Sequence, residues 1–152
     1  MAVPRIEIDL RKIAHNAERL RELNASKGIA IFGVTKVVCG DPAVAAVLVK
    51  AGIKTLADSR ISNIVRMRKA GIQAEYVLLR TAALSQAEAV IRYADISLNS
   101  ELAVIERLST FAVKNNVSHK IILMVELGDL REGMMPADVV KMVEAVGSQK
   151  GI

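Results

Sequence analysis

Cysteine, histidine and aromatic residues are scarce in this sequence, and each shortage removes a class of chemistry. The single Cys39 leaves no internal disulfide and no multi-cysteine zinc site. His15 and His119, the two histidines, lie in different segments; Glu18 stands three residues after His15, but no second histidine completes a zinc motif. Two Phe and two Tyr offer few rings on which bases could stack. The basic residues behind the net charge of +5 are spread over several segments, the pattern of a solvated surface rather than a nucleic-acid footprint. No run of about 18 apolar residues is present to span a bilayer. Met1 to Arg5 does not open like a secretory signal, so the expectation is a soluble, cytoplasmic protein that binds neither nucleic acid nor membrane.

What is present suits one domain: 152 residues, 52% of them apolar, are enough to build a core. Its central stretch runs from Gly28 to Pro42. Ile29, Ala30, Ile31, Phe32 and Val34 form a short, nearly continuous apolar run, which predicts a parallel strand buried on both faces. Lys36 ends it. Gly40 then allows a tight turn, Asp41 is a helix N-cap, and Pro42 occupies the first helical position. Lys36 is thereby expected at the carboxyl end of a strand, where open α/β sheets and barrels place their ligands. A lysine buried there is a nucleophile candidate, because desolvation frees the amine to form a Schiff base.

The flanking segments repeat one rhythm. Pro4 to Asp9 alternates apolar and polar residues and predicts a short strand, and Leu10 to Ser26 predicts an amphipathic helix. After the lysine come a helix from Pro42 to Ala51, a strand from Lys54 to Ala57, a helix from Ile61 to Ala70 and a strand from Glu75 to Leu79. Ser85 with Glu88 has capping-box spacing and opens a helix to Tyr93. A strand from Asp95 to Asn99, a helix from Ser100 to Asn115, a strand from Lys120 to Glu126 and a helix from Pro136 to Val146 complete the pattern, and another strand is expected beyond Gly151. Strands joined by helices in this order are parallel, so the fold class is α/β. No Gly-x-Gly-x-x-Gly and no Walker lysine motif follows a strand, which favours a TIM barrel over a dinucleotide-binding fold. A full barrel takes about 250 residues. The expected architecture is therefore a partial (β/α)8 barrel of about five barrel strands plus the N-terminal strand and helix.

Three segments then resemble one family. Asp9, Leu10, Arg11, Lys12, Ile13, Ala14, His15, Asn16 resembles the opening D-L-x-x-I-x-H-N of the alanine racemase family. Lys36 with its preceding strand and the stretch Gly128-x-x-Arg131-x-Gly133 match that family in order and spacing. The wording GVTKVVCGDP and TLADSRISNI looks like the branch that contains ornithine racemases. The resemblance implies a fold-type III enzyme dependent on pyridoxal phosphate, with an N-terminal eight-stranded barrel, a C-terminal β-domain and a homodimer that completes each active site. It makes Lys36 the Schiff-base lysine and catalytic acid/base on one face of an amino-acid substrate, and Arg131 the group that holds the cofactor phenolate or the substrate carboxylate.

The opposite-face acid/base of the family is a tyrosine from the partner's β-domain, and neither Tyr76 nor Tyr93 matches its motif. Leu127 and Asp129 stand where the family usually has threonine and methionine, and Gly40 where many alanine racemases have a phosphate-binding tyrosine. These departures turn the expected substrate from alanine toward a longer amino acid such as ornithine. The family's phosphate-gripping groups lie on later strands, so the chain is expected to be the N-terminal portion of a racemase, inactive or poorly active alone and able to associate through an open edge. Two alternatives stay open: a non-catalytic pyridoxal phosphate carrier of the same fold, and a structural fragment without function of its own. Cys39 is expected to be packed as a small residue, and Asp58, Ser59, Ser97 and Asn99 to sit at strand ends, either facing the pocket or forming turns.

Overall fold

Local chemistry sets where the elements begin. In a computed structural model that describes residues 4–152, the Asp9 carboxylate accepts the N–H groups of Arg11 and Lys12 and opens helix α1, Leu10–Ala25. Asp41 caps α2, Pro42–Lys50, in the same way through Ala43 and Val44, with Pro42 at the first turn as expected. The remaining helices are α3 (Ile61–Lys69), α4 (Ala87–Tyr93), α5 (Leu102–Lys114) and α6 (Val139–Gly147). Between them run β1 (Phe32–Val34), β2 (Thr55–Asp58), β3 (Glu75–Leu78), β4 (Ile96–Asn99) and β5 (Lys120–Leu123). Among the described residues, no helix is long and apolar enough to cross a membrane.

The five strands pair in parallel in the order β1-β2-β3-β4-β5, the same order as in the chain. A sheet that grows in one direction through crossovers of one hand keeps every helix on one face, which is the rule of a barrel wall rather than of a doubly wound sheet. Register assigns the two faces. Gly33, Leu56 and Tyr76 align and look toward the helices: Leu56 and Tyr76 are fully buried in a core with Ala45, Ile64, Met67 and Leu108. A Cβ on Gly33 would lie 3.0–3.2 Å from Leu56, Leu48 and Ile53, so α2 sits close over β1 because this residue has no side chain. The alternate residues line the concave face: Phe32, Thr55 and Glu75 in one row, then Val34, Ala57, Val77, Ile96 and Lys120 in the next.

Four expectations are corrected. Residues 4–9 form no strand, and Ile6 is 90% exposed: an alternating pattern marks two faces, but a strand also needs a neighbour for its backbone groups, and none is present among the described residues. β1 is not buried on both faces, since Phe32 and Val34 are 44% and 45% exposed on the concave side, where five strands make an open arc. Ser85 does not cap α4. It lies inside a 3-10 turn, Leu84–Gln86, that leads straight into the helix, and the extended backbone a cap requires is found instead at Ala83. Cys39 is exposed rather than packed, because it takes a left-handed conformation (φ +52°) at the outer bend of the turn after Lys36.

Candidate functional site

The carboxyl ends of the strands form one rim, and the corner at β1 carries Lys36. Thr35 leaves β1 pointing to the helix side: its N–H donates to Ala57 O (2.9 Å) and its hydroxyl to Asp58 Oδ2 (2.8 Å). Asp58, fully buried, uses its other oxygen to accept the Arg60 N–H (3.0 Å) and the Asn63 side-chain amide (2.9 Å). One carboxylate thus ties the end of β1 to the start of α3, and turn formation, not a role facing the cavity, accounts for it. Lys36 begins a single 3-10 turn, closed by Cys39 N–H to Lys36 O and Gly40 N–H to Thr35 O. Gly40 is required there. Its φ is +63°, and a Cβ would lie 2.7 Å from Asn63 Cβ.

Lys36 itself is exposed, which corrects the expectation of a buried amine. The physical reason is its place on an edge: β1 is the first strand of the arc, and its concave-side neighbours Phe32 and Val34 are exposed as well. Among the described residues its ammonium makes no ion pair and no side-chain hydrogen bond, so the nitrogen is available at the rim.

Arg131 lies at the other edge, past β5. The chain leaves β5, forms a bridge between Val125 and Met134, and closes the intervening loop with Glu126 N–H to Met134 O (2.8 Å) and Met134 N–H to Met124 O (2.9 Å). Gly133 makes the closure possible, because at φ +136° a Cβ would sit 2.6 Å from Glu126 N. Inside the loop, the N–H groups of Leu130 and Gly128 point at the Glu126 carboxyl and hold it below the usual carboxylate range. Glu126 is therefore the loop's organiser, a role sequence reading missed. Its signal was a carboxylate two residues before the first glycine. Arg131 is exposed and pairs with neither Asp129 nor Glu132. No hydrogen bond or ion pair joins it to Lys36 among the described residues, as befits residues that follow the two edge strands of the arc.

Ser97, Asn99 and Tyr76 turn away from the concave side. Ser97 and Asn99 are fully buried on the helix side, with Ser97 Oγ 2.9 Å from His119 Nε2 and the Asn99 amide donating to Ser97. Tyr76 is buried under α3, its hydroxyl donating to Ile72 O (2.9 Å) and the Arg68 guanidinium 4.7 Å from its ring centre. Burial pushes its pKa up. It cannot reach a substrate on the concave face. Ser59 is half-buried beside Arg60.

Comparison with known proteins fits this geometry. A lysine racemase of Thermotoga maritima is 38% identical over 99% of this chain and 42% of its own length, and an ornithine racemase of Acetoanaerobium sticklandii is 36% identical over 91% and 38%. The chain thus spans about two fifths of the length of these relatives. Among solved structures, alanine racemase of Clostridium difficile 630 superposes with a TM-score of 0.81 at 21% identity, covering 94% of this chain and 39% of that one. PipY of Synechococcus elongatus PCC7942, solved with PLP bound, gives 0.76 at 20% identity over 89% of this chain and 65% of that one. At such identities the likeness is one of fold. The family described as alanine racemase, N-terminal domain, matches residues 8–152, which takes in Asn16, Lys36 and Arg131 together. A one-directional parallel arc, a lysine at the end of its first strand and a match over nearly the whole chain lead to one conclusion: this chain belongs to the alanine racemase N-terminal domain family.

Proposed function

We propose that this chain is the lysine-bearing part of a pyridoxal-phosphate-dependent amino-acid racemase whose substrate is a diamino acid of the ornithine or lysine class. The observation that carries the reading is Lys36: an amine without a partner among the described residues, at the carboxyl end of the first barrel strand, on a turn braced by Thr35, Asp58 and Gly40. The substrate class is supported by the relatives, since the lysine and ornithine racemases match at 38% and 36% identity and an alanine racemase of Clostridium acetobutylicum at 33%.

The donor set fits the cofactor. Lys36 would hold it through the aldehyde carbon, and Arg131, a guanidinium without a carboxylate partner among the described residues, would hold an anionic oxygen of the cofactor or the substrate. When bound, the group supplies an electron sink that acidifies the substrate Cα–H. The work left to this chain is positional and protic. The braced turn fixes the Lys36 backbone, and Lys36 Nζ takes the Cα proton from one face or returns it there. Inversion needs a second acid/base on the other face. Tyr76 is locked beneath α3, so in this reading that group comes from outside these 152 residues, as does the homodimer partner.

Incubation with pyridoxal phosphate, borohydride reduction and peptide mapping tests the assignment. Label should concentrate on Lys36 over the other lysines and vanish in Lys36→Ala. Equal labelling of many lysines, unchanged in that variant, would refute it. In a protein that also carries the remaining barrel strands, loss of optical rotation from L-ornithine or L-lysine should depend on Lys36. Cofactor binding without racemisation would instead favour a carrier of the same fold.

A further inference from the structure

A second cluster on the same rim has no place in the chemistry of Lys36. We propose that the cleft between the β2–α3 and β3–α4 connections is an oxyanion site, held by Arg60 and Arg80. The cleft encloses about 300 Å³ at the carboxyl ends of β2 and β3, large enough for a carboxylate or phosphate group with part of its parent molecule. Its lining contains both arginines and no acidic residue.

Neither guanidinium has a partner. Arg19, Arg68 and Arg92 each pair with a carboxylate, whereas Arg60 and Arg80 make no ion pair and no side-chain hydrogen bond among the described residues. The adjacent carboxylate cannot serve them. Both oxygens of Asp58 are already engaged by Thr35, Asn63 and the Arg60 backbone N–H. Two cations facing one cleft with no acid between them leave an electrostatic deficit that an oxyanion fills, and the planar guanidinium fork matches such a group.

The backbone contributes in the same direction. α3 spans nine residues, and its N-cap residue is Arg60, whose side chain supplies no capping acceptor. Asn63 N–H turns back to Arg60 O (3.0 Å), but the Ile61 and Ser62 N–H groups have no acceptor among the described residues, and both residues line the cleft. The Ser62 hydroxyl, on the lining of the cleft, adds a further donor, while that of Thr81 is shared with Ser100 Oγ (3.2 Å). Lys36 is not part of the lining, and the site does not depend on that amine reacting with anything.

The test is an amide-shift NMR titration of the full chain with inorganic phosphate and, separately, acetate, at constant ionic strength. Saturable shifts are expected at Ile61, Ser62 and Thr81. Arg60→Gln and Arg80→Gln should each weaken binding about tenfold, as loss of one charge-assisted hydrogen bond implies. Arg19→Gln, on α1, should leave it unchanged. Because both arginines are exposed, circular dichroism should confirm that the variants fold as the parent does. Tighter binding of phosphate assigns the site to a phosphate group, and tighter binding of acetate to a carboxylate. Non-saturable shifts spread over the basic surface, or equal affinity in the Arg60/Arg80 double variant, would overturn the proposal.

Discussion

Acidification should destabilise this domain through His119. The ring is 3% exposed, its Nε2 is 2.9 Å from Ser97 Oγ, and its backbone N–H donates to Gly151 O (2.8 Å). Burial lowers its pKa from 6.5 to about 4, against a smaller opposing pull from Asp95. The folded state therefore prefers the neutral ring. Above pH 6.5 the group is neutral in both states and has no effect on the pH dependence. Between 6.5 and about 4 the unfolded chain binds a proton that the folded one refuses, so stability falls. Below about 4 both states are protonated and the loss levels off. The full shift corresponds to about 3 kcal/mol, of which about 2 kcal/mol is lost by pH 5. That is a large share of the roughly 5–15 kcal/mol that holds a domain together. Urea unfolding at pH 7.5, 6 and 5 measures it, staying above the range in which ordinary carboxylates titrate. His119→Gln, which keeps a polar group facing Ser97, should be less stable at pH 7.5 but should lose about 2 kcal/mol less than the parent on going to pH 5. His15 is present in both proteins and cancels. Parallel pH dependence in the two would refute the assignment.

The braced turn makes three further predictions. Thr35→Val removes the hydroxyl that donates to Asp58 and leaves a buried carboxylate oxygen without a donor; it should cost about 1–3 kcal/mol by urea unfolding, with Thr35→Ser largely restoring stability. Gly40→Ala should cost more than Gly71→Ala in thermal unfolding: both have positive φ, but only at position 40 does the new methyl meet a neighbour, 2.7 Å from Asn63 Cβ, whereas nothing lies within 4 Å at position 71. Lys36→Ala should leave the urea midpoint within about 0.5 kcal/mol of the parent, since the side chain is exposed and unpaired, while abolishing the reductive label. A large loss of stability in that variant would mean the lysine is structural.

The rim was legible from the sequence to the extent that its causes are local. An apolar run, then lysine, then Gly40-Asp41-Pro42, predicts a strand end, a turn and a helix start from neighbouring residues alone, and each is found. Arg131 was legible only as a motif. Its placement depends on Glu126 collecting the loop's N–H groups and on Gly133 passing against Glu126, contacts that no spacing announces. Two of the misreadings share a cause. The concave side of β1 and Lys36 were judged from the local sequence, but burial is a property of what packs opposite, and β1 is the edge strand, where Phe32 and Val34 are exposed while Ala57 and Val77 further along the same face are buried.

The sequence by itself determined the succession of strands and helices, their parallel sense and the family to which they belong, because periodicity, caps and glycine stops act within a few residues. Only the tertiary structure decided which side of each strand meets the helices, and which groups share the rim. Asp58 meets Thr35 across 23 positions, and Arg60 meets Arg80 across a cleft, only once β1, β2 and β3 lie side by side. Such pairings come from register between strands distant in the chain, and register is settled by the packing of whole faces rather than by any residue's neighbours.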